Sequence, residues 1–292
     1  MLPTMARKPA IAIVGPGRLG SALARGLSRA GYTISEVVSR NSPASRRQAA
    51  ALAKSVHAPS SPTVNAHLDA ELIWFCVPDR EIAAAAYDLA GAASWKGKIA
   101  IHSSGALASD ELRVLRLRGA AVASVHPLMT FVRGSAPSLK GVPFALEGDA
   151  AAVRIGRKIV RRLGGEPFTL RKQDKVAYHA WGMFASPLLV ALLTTTEQVA
   201  KLAGISASEA RKKMLPIVRQ TIANYASLGP EKALTGPLVR GDAEIVSKHI
   251  RMLKRMPEAK AVYAALVRSA LLHLPARNRR ELEKILKRLA RS

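Results

Sequence analysis

The stretch from Ile11 to Gly20 constrains the chain most. Ile11-Ala12-Ile13-Val14 is an apolar, partly β-branched run of the kind that forms a buried strand. Gly15-Pro16-Gly17-Arg18-Leu19-Gly20 follows at once as a G-x-G-x-x-G, and Leu19, Leu23, Leu27 and Ala30 then recur at helical spacing. Strand, glycine turn and helix in this order open a βαβ unit of the dinucleotide-binding kind. Gly15 allows the tight turn. Gly17 lets backbone N–H groups approach a pyrophosphate with no Cβ in the way. Gly20 lets the helix pack close to the strand. The helix start then offers unpaired N–H donors and a positive dipole end to phosphates. Pro16, Arg18 and Leu19 belong to the same cofactor-binding loop.

The next strand, Thr33 to Ser39, ends about twenty residues past the glycines. In an NAD-specific unit an Asp or Glu at that place binds the ribose 2′-OH. Here the chain reads Ser39-Arg40-Asn41 and has no carboxylate at that point. Ser39 can donate a hydrogen bond, and Arg40 can pair with a dianion through its fork of N–H groups. These residues favour NADP(H). Arg46 and Arg47 read as the solvated face of a helix over Ser45 to Lys54.

Leu72 to Val77 is an apolar run without alternation, as expected of a strand covered on both faces. It ends in Pro78-Asp79, so Val77, Pro78 and Asp79 are expected at the cofactor crevice. After a helix over Ile82 to Leu89, the strand Lys98 to His102 ends in Ser103-Ser104-Gly105. Small hydroxyls and a glycine there would let nicotinamide and substrate approach the backbone. The serines could equally cap a helix over Leu107 to Leu117, a place for which Ser109 competes. The strand Ala121 to Val125 runs into His126-Pro127-Leu128-Met129-Thr130-Phe131. His126 at that strand end could donate a proton, hydrogen-bond a substrate oxygen, or serve as a structural histidine bonded to backbone. Pro143 to Leu146 and Pro167 to Leu170 look like two last strands around a helix over Ala150 to Leu163.

Beyond Thr169 everything reads as helix, which divides the chain into residues 8–170 and 171–292. The segment Lys172 to Ala203 is apolar nearly all round after Tyr178, so a buried central helix kinked at Pro187 is expected. Ser206 and Glu209 form a capping-box pattern for a helix that Gly229-Pro230 stops. Asp242 is placed to cap the helix to Met256, and two more helices follow from Pro257 and from Asn278. No uninterrupted run of about 18 apolar residues exists, so no membrane span is expected. Met1 to Ala10 has no apolar leader core. The single cysteine, Cys76, excludes an internal disulfide framework, suits a reducing cytoplasm and reads as a buried inert thiol. Histidines are scattered with no cysteine cluster, so no metal site is expected. The formal charge of +25 is spread along the chain with few aromatics, which argues against nucleic-acid binding and suits attraction of anionic ligands.

Taken together, G-P-G-R-L-G, H-S-S-G-A-L, H-P-L-M-T-F, K-V-A-Y-H-A and G-P-L-V-R-G-D resemble a family of NADP-dependent oxidoreductases. Its members join a Rossmann-like N-terminal domain to a DUF2520 helical C-terminal domain, and the resemblance runs from about Lys8 to Leu274. It implies an α/β Rossmann-like doubly wound sheet followed by an all-α domain, and kinship with ketopantoate reductases, pyrroline-5-carboxylate reductases and β-hydroxyacid dehydrogenases. In that wider group a Lys and an Asn four residues apart on the first long helix commonly serve the substrate. Here Lys175 and His179 hold those places, on one helix face. Lys175 would protonate or stabilise a developing alkoxide and His179 would orient it; a solvent-facing Lys and a packed His are the alternative. Relatives often read Ser-Asn where this chain has Ser186-Pro187. Arg240 could hold a substrate carboxylate or form a salt bridge with Asp242 or Glu244. The resemblance thus implies an NADPH-dependent reduction of C=O or C=N in a small anionic substrate, a 2-oxo acid such as 2-dehydropantoate being favoured. Lys175, His126 and His179 would be catalytic, with Ser104, Thr130 and Arg240 positioning the substrate. Homodimerisation is expected by analogy. The competing expectation, raised by Pro187, is a non-catalytic NADPH-binding sensor or interaction protein.

Overall fold

A computed structural model describes residues 8–132 and 137–289. The leading residues 1–7, read above for a leader, and the last residues 290–292 lie outside the described residues. The chain divides between Phe184 and Ala185 into two compact units.

The first unit is built on one sheet of eight strands: β1 (Ile11–Val14), β2 (Ile34–Ser39), β3 (Ser60–Pro62), β4 (Leu72–Phe75), β5 (Ile99–His102), β6 (Ala121–Pro127), β7 (Pro143–Gly148) and β8 (Glu166–Thr169). Their order is β3-β2-β1-β4-β5-β6-β7-β8. Neighbours are parallel except β6 and β7, which pair antiparallel with His126 opposite Ala145. The helices of this unit are α1 (Arg18–Arg29), α2 (Pro43–Ser55), α3 (Ile82–Asp88), α4 (Arg113–Arg116), α5 (Ala150–Arg162) and α6 (Lys175–Ala185). The sheet is apolar on both faces because both faces are covered. Ile11, Ile13, Leu72 and Trp74 join one core with Leu23 and Leu27 of α1, Leu52 of α2 and Ile159 of α5. The intervening Ala12, Val14, Ile73 and Phe75 join a second core with Ile82 and Ala86 of α3 and Leu115 of α4. This period-2 division explains why the central strands show no polar alternation.

The strand order reverses at β1. The chain goes from β1 to β2 on one side and returns to place β4 on the other, so the carboxyl ends of β1 and β4 flank a crevice. Because β1, β4, β5 and β6 are parallel, the segments after Val14, Phe75, His102 and His126 all leave the sheet at one edge. The short β3 has no apolar signature, being Ser60-Ser61-Pro62, and pattern reading misses it.

The second unit contains α7 (Pro187–Ala200), α8 (Ala207–Leu228), α9 (Pro230–Ala233), α10 (Pro237–Arg240), α11 (Ala243–Leu253), α12 (Pro257–His273) and α13 (Arg279–Leu289). Val246, Ile250, Val267, Leu271, Leu282 and Leu286 form its core between the last three long helices. Ser206 caps α8 by accepting from Glu209 N and donating to the Glu209 carboxylate at 3.0 Å. Asp242 does not cap α11 through its side chain, because that carboxylate is taken by Arg240 Nε at 2.8 Å.

Lys172 to Ala203 departs from the expected buried, kinked helix. Ser186 adopts φ −132° and ψ −77°, so the run breaks into α6 and α7, with Pro187 in the first turn of α7 where its missing N–H costs nothing. Only 6% of its most apolar window is buried, and at a mean hydropathy of 1.5 the run is long and apolar enough by composition to cross a membrane. Its buried points are Lys175 and Tyr178 near the start and Glu197 near the end.

Candidate functional site

Two groups of residues gather at the carboxyl edge of the sheet. The first surrounds a cavity of about 310 Å³ between the ends of β1, β2 and β4. Gly15, Pro16 and Gly17 form one wall. Gly15 has φ +100°, which a glycine tolerates, and donates its N–H to Val38 O at 2.8 Å. A Cβ at Gly15 would stand 2.9 Å from the Cys76 carbonyl carbon and oxygen, and one at Gly20 would collide with the Gly15 carbonyl oxygen. A Cβ at Gly17 would meet only Cys76 O at 4.0 Å, so the Gly17 face of the turn is open. Gly17 is the N-cap of α1 and no side chain caps that helix. The N–H groups of the first turn are thereby left to a ligand, the arrangement that binds phosphate.

Ser39, Arg40, Val77 and Pro78 line the same cavity, as expected. Arg18, Leu19, Gly20 and Asn41 do not. The Arg18 guanidinium turns to Phe131 O at 3.5 Å, Leu19 packs on the core, Gly20 faces Gly15, and Asn41 is exposed. Ser39 Oγ donates to Arg40 O at 3.1 Å, and Thr63 Oγ1 donates to Ser39 O at 3.2 Å. A carboxylate does stand here, contrary to the reading of the β2 end alone. Glu81, in the turn after β4, accepts from Arg40 NH1 at 3.1 Å across the cavity. Cys76 also lines it, and burial pushes its thiol well above the ordinary range, which disfavours the thiolate.

The second group lies after β5 and β6 and is tied to α6. His102 is fully buried. Its Nδ1 accepts from Ser104 N at 3.1 Å and its Nε2 donates to Ala108 O at 2.9 Å, which fixes a neutral ring. Burial holds its pKa down to about 4. Ser103 spends its hydroxyl inside the core, accepting from Trp74 Nε1 at 2.8 Å and donating to Val125 O at 2.9 Å, so it has no proton left to donate to a cofactor. Ser104 Oγ donates to Asp79 Oδ2 at 2.7 Å and accepts from Ala106 N and Leu107 N. The Ser104 hydroxyl is therefore committed to Asp79 and to the turn, while Asp79, expected at the cofactor crevice, is exposed and does not line the cavity.

Lys175 is not at a surface. It is 1% exposed, and its Nζ donates to Ser104 O at 3.0 Å and Ser124 Oγ at 2.6 Å, with Glu147 Oε1 at 4.0 Å. Glu147 is itself held by Ser109 N at 2.6 Å and Ser109 Oγ at 3.0 Å. Burial lowers the Lys175 ammonium to about 8 against the opposing pull of Glu147 and Asp79, so it remains charged at pH 7. The proton donor expected from Lys175 is thus sealed below the site. What it does reach is the carbonyl of Ser104, next to Gly105.

Gly105 is where the two remaining candidates meet. A Cβ there would lie 2.9 Å from His126 Nε2 and 2.9 Å from His179 Cδ2. The glycine makes room for two imidazoles rather than for a ligand. His126 Nδ1 lies 2.8 Å from Tyr178 OH. Tyr178 is 5% exposed, and burial raises its pKa, so the phenol keeps its proton. A buried phenol proton needs an acceptor, and Nδ1 provides it. The ring proton of His126 is then on Nε2, facing Gly105. Burial, with the charge of the Lys175 ammonium next, lowers the His126 pKa to about 4. At pH 7 it is a neutral hydrogen-bond donor, not an acid. Tyr178, Ser124 and Glu147 escaped sequence reading; Tyr178 lies inside the K-V-A-Y-H-A motif, but its partner is remote in sequence, and the room expected at Gly105 for a ligand is taken by the two rings. Thr130 is exposed. Arg240 lies in the second unit, with its guanidinium turned to Asp242.

No curated protein matches the chain in sequence. Among solved structures, a candidate NADP oxidoreductase from Bacteroides fragilis is similar at 22% identity over 90% of this chain and 97% of that one, with a TM-score of 0.73. A Thermotoga maritima protein shares 24% identity over 96% of this chain and 100% of its own, with a TM-score of 0.71. A reductive aminase from Aspergillus terreus, in complex with NADPH and ethyl-5-oxohexanoate, shares 18% identity over 95% and 99%, with a TM-score of 0.66. These likenesses show the fold. The family description of a Rossmann-like domain matches residues 4–127, and that of a domain of unknown function, DUF2520, matches residues 142–270. The chain accordingly joins a Rossmann-like domain to a DUF2520 domain.

Proposed function

We propose that the chain is an NADP(H)-dependent reductase acting on a C=O or C=N carbon of a small substrate. The observation that carries this reading is the cavity at the strand-order reversal, walled by the open face of Gly17 and by Ser39 and Arg40. Its residues fit the cofactor: the uncapped start of α1 suits the pyrophosphate, and Arg40 suits a 2′-phosphate. Bound there, the nicotinamide would supply a hydride. The reductive aminase with NADPH on the same fold supports this assignment.

The chain's own residues supply polarisation. His126 Nε2–H presents a neutral donor beside Gly105, suited to the oxygen or nitrogen whose negative charge grows as hydride reaches carbon. His179, half-buried across Gly105, flanks the same point. Lys175 acts one layer below, through the Ser104 carbonyl, to hold the turn that places both rings. Arg240 does not support an anionic substrate as it stands, so 2-oxo acids such as 2-dehydropantoate and cyclic imines are both candidates.

Fluorescence titration is expected to show NADPH binding much tighter than NADH. NADPH oxidation would then be followed at 340 nm with both substrate classes. His126→Asn should lower turnover about 100-fold, the scale of a lost catalytic proton donor or polarising group, with NADPH affinity within about two-fold of wild type. Failure of the wild type to bind either nucleotide would end the reductase reading. The burial of Lys175 favours a second reading, NADPH binding without chemistry, and binding with no turnover on either class would support it.

We also infer a homodimer. Val190 of α7 and Ile217, Ile222 and Tyr225 of α8 are each more than half exposed, and large apolar side chains of this kind are what a subunit contact covers. Light scattering should give twice the mass of one chain, and a monomer at micromolar concentration would refute it.

A further inference from the structure

Arg40 and Glu81 come from opposite walls of the nucleotide cavity. Arg40 follows β2; Glu81 ends the turn between Pro78 and α3. They meet at 3.1 Å, with the Arg40 side chain 68% exposed and that of Glu81 24% exposed, so the pair lies at the solvent edge of the cavity that both line. The chain thus holds two opposed selectors in one place: a guanidinium suited to a ribose 2′-phosphate, and a carboxylate of the kind that accepts from ribose hydroxyls. Each occupies the other.

We propose that Glu81 is a specificity-determining residue, an internal carboxylate that holds Arg40 and yields it to a 2′-phosphate but not to a 2′-hydroxyl. The inference rests on the NADP(H) reading above. A phosphate monoester near pH 7 carries between one and two negative charges and offers oxygens to both arms of a guanidinium. Glu81 offers one charge and engages one arm. The exchange of partners therefore favours NADPH, at the cost of breaking the resident pair. A neutral 2′-hydroxyl cannot displace a carboxylate, so NADH leaves the pair closed. Glu81 lowers NADPH affinity below what Arg40 alone would give and scarcely touches NADH. With Arg40 gone, Glu81 is left facing the cavity as an acceptor for ribose hydroxyls.

The test is fluorescence titration with NADPH and NADH of the full-length wild type, Glu81→Gln, Arg40→Ala and the double variant. Glu81→Gln should bind NADPH about two- to five-fold tighter, the range an exposed ion pair is worth, with NADH unchanged. Arg40→Ala should lose most of the preference for NADPH. In the Arg40→Ala background, Glu81→Gln should give a clearly smaller gain, that of relieved carboxylate–phosphate repulsion alone, and the difference isolates the coupling between the two residues. Three results would overturn the proposal: NADPH affinity unchanged or weaker in Glu81→Gln, equal tightening of both nucleotides, or the same gain with Arg40 absent. Wild type that binds neither nucleotide would instead remove the cofactor reading, and this inference with it. Both side chains reach solvent, and thermal melts of each variant will confirm that they fold.

Discussion

Replacing Gly20 by alanine is expected to destabilise the first unit by about 3 kcal/mol and to abolish nucleotide binding. The new Cβ would collide with the Gly15 carbonyl oxygen and stand 3.1 Å from the Cys76 Cβ. Neither neighbour can retreat cheaply. Gly15 is held at φ +100° with its N–H on Val38 O, and its own backbone lies against Cys76 so closely that a Cβ there would find the Cys76 carbonyl at 2.9 Å. Cys76 in turn is fixed by its N–H to Val14 O at 2.7 Å. Relief requires α1 to move off β1, and that movement opens the core at Leu23 and Leu27 and withdraws the helix start from the phosphate position. A melting temperature about 6–12 °C lower is expected. Gly17→Ala is the contrasting variant. Its Cβ meets only Cys76 O at 4.0 Å, so stability should hold within about 1 kcal/mol while the methyl group fills the phosphate cradle and NADPH binding is lost. Wild-type stability in Gly20→Ala would show that helix and strand are not packed closely here.

Acid should destabilise the protein steeply between about pH 6.5 and pH 4. His102 and His126 have pKa values held down to about 4, chiefly by burial, against an ordinary histidine value near 6.5. In that window the unfolded chain binds protons that the folded chain refuses, so stability falls as pH falls. The loss reaches about 3 kcal/mol for His102, which is fully buried, and somewhat less for His126; below pH 4 these two groups add no further slope. Lys175 works in the same sense higher on the scale. Its pKa is lowered to about 8, so stability should rise again between about pH 8 and pH 10.4. Denaturant melts across pH 4–10 would show both rises. His102→Gln keeps a donor and an acceptor without the titration, and should flatten the acid limb. A stability independent of pH from 7 to 4.5 would mean that the two rings are not buried as neutral species.

The sequence by itself determined the parts that depend on neighbours in the chain. The β1 strand, the glycine turn and α1 were legible because apolar period, turn chemistry and helical spacing act over a few residues. The alternating membership of Ile11, Ala12, Ile13 and Val14 in two cores follows from strand geometry alone, so a sheet covered on both faces could be expected. The cap at Ser206 was legible for the same reason, whereas the second helix starts at Pro43, two residues before the Ser45 expected. Only the tertiary structure decided which polar groups are free. Lys175 and His179 share a helix face, yet one is sealed against Ser104, Ser124 and Glu147 while the other flanks Gly105. Ser103 and Ser104 occupy the expected strand end, yet both hydroxyls are consumed by partners more than twenty residues away. Glu81 reaches Arg40 from 41 residues further along, at the place where local reading found no carboxylate. The physical reason is that a hydrogen bond or ion pair depends on distance in space. The crossover connections of a parallel sheet bring together residues from separate strands, and no spacing along the chain records which of them will meet.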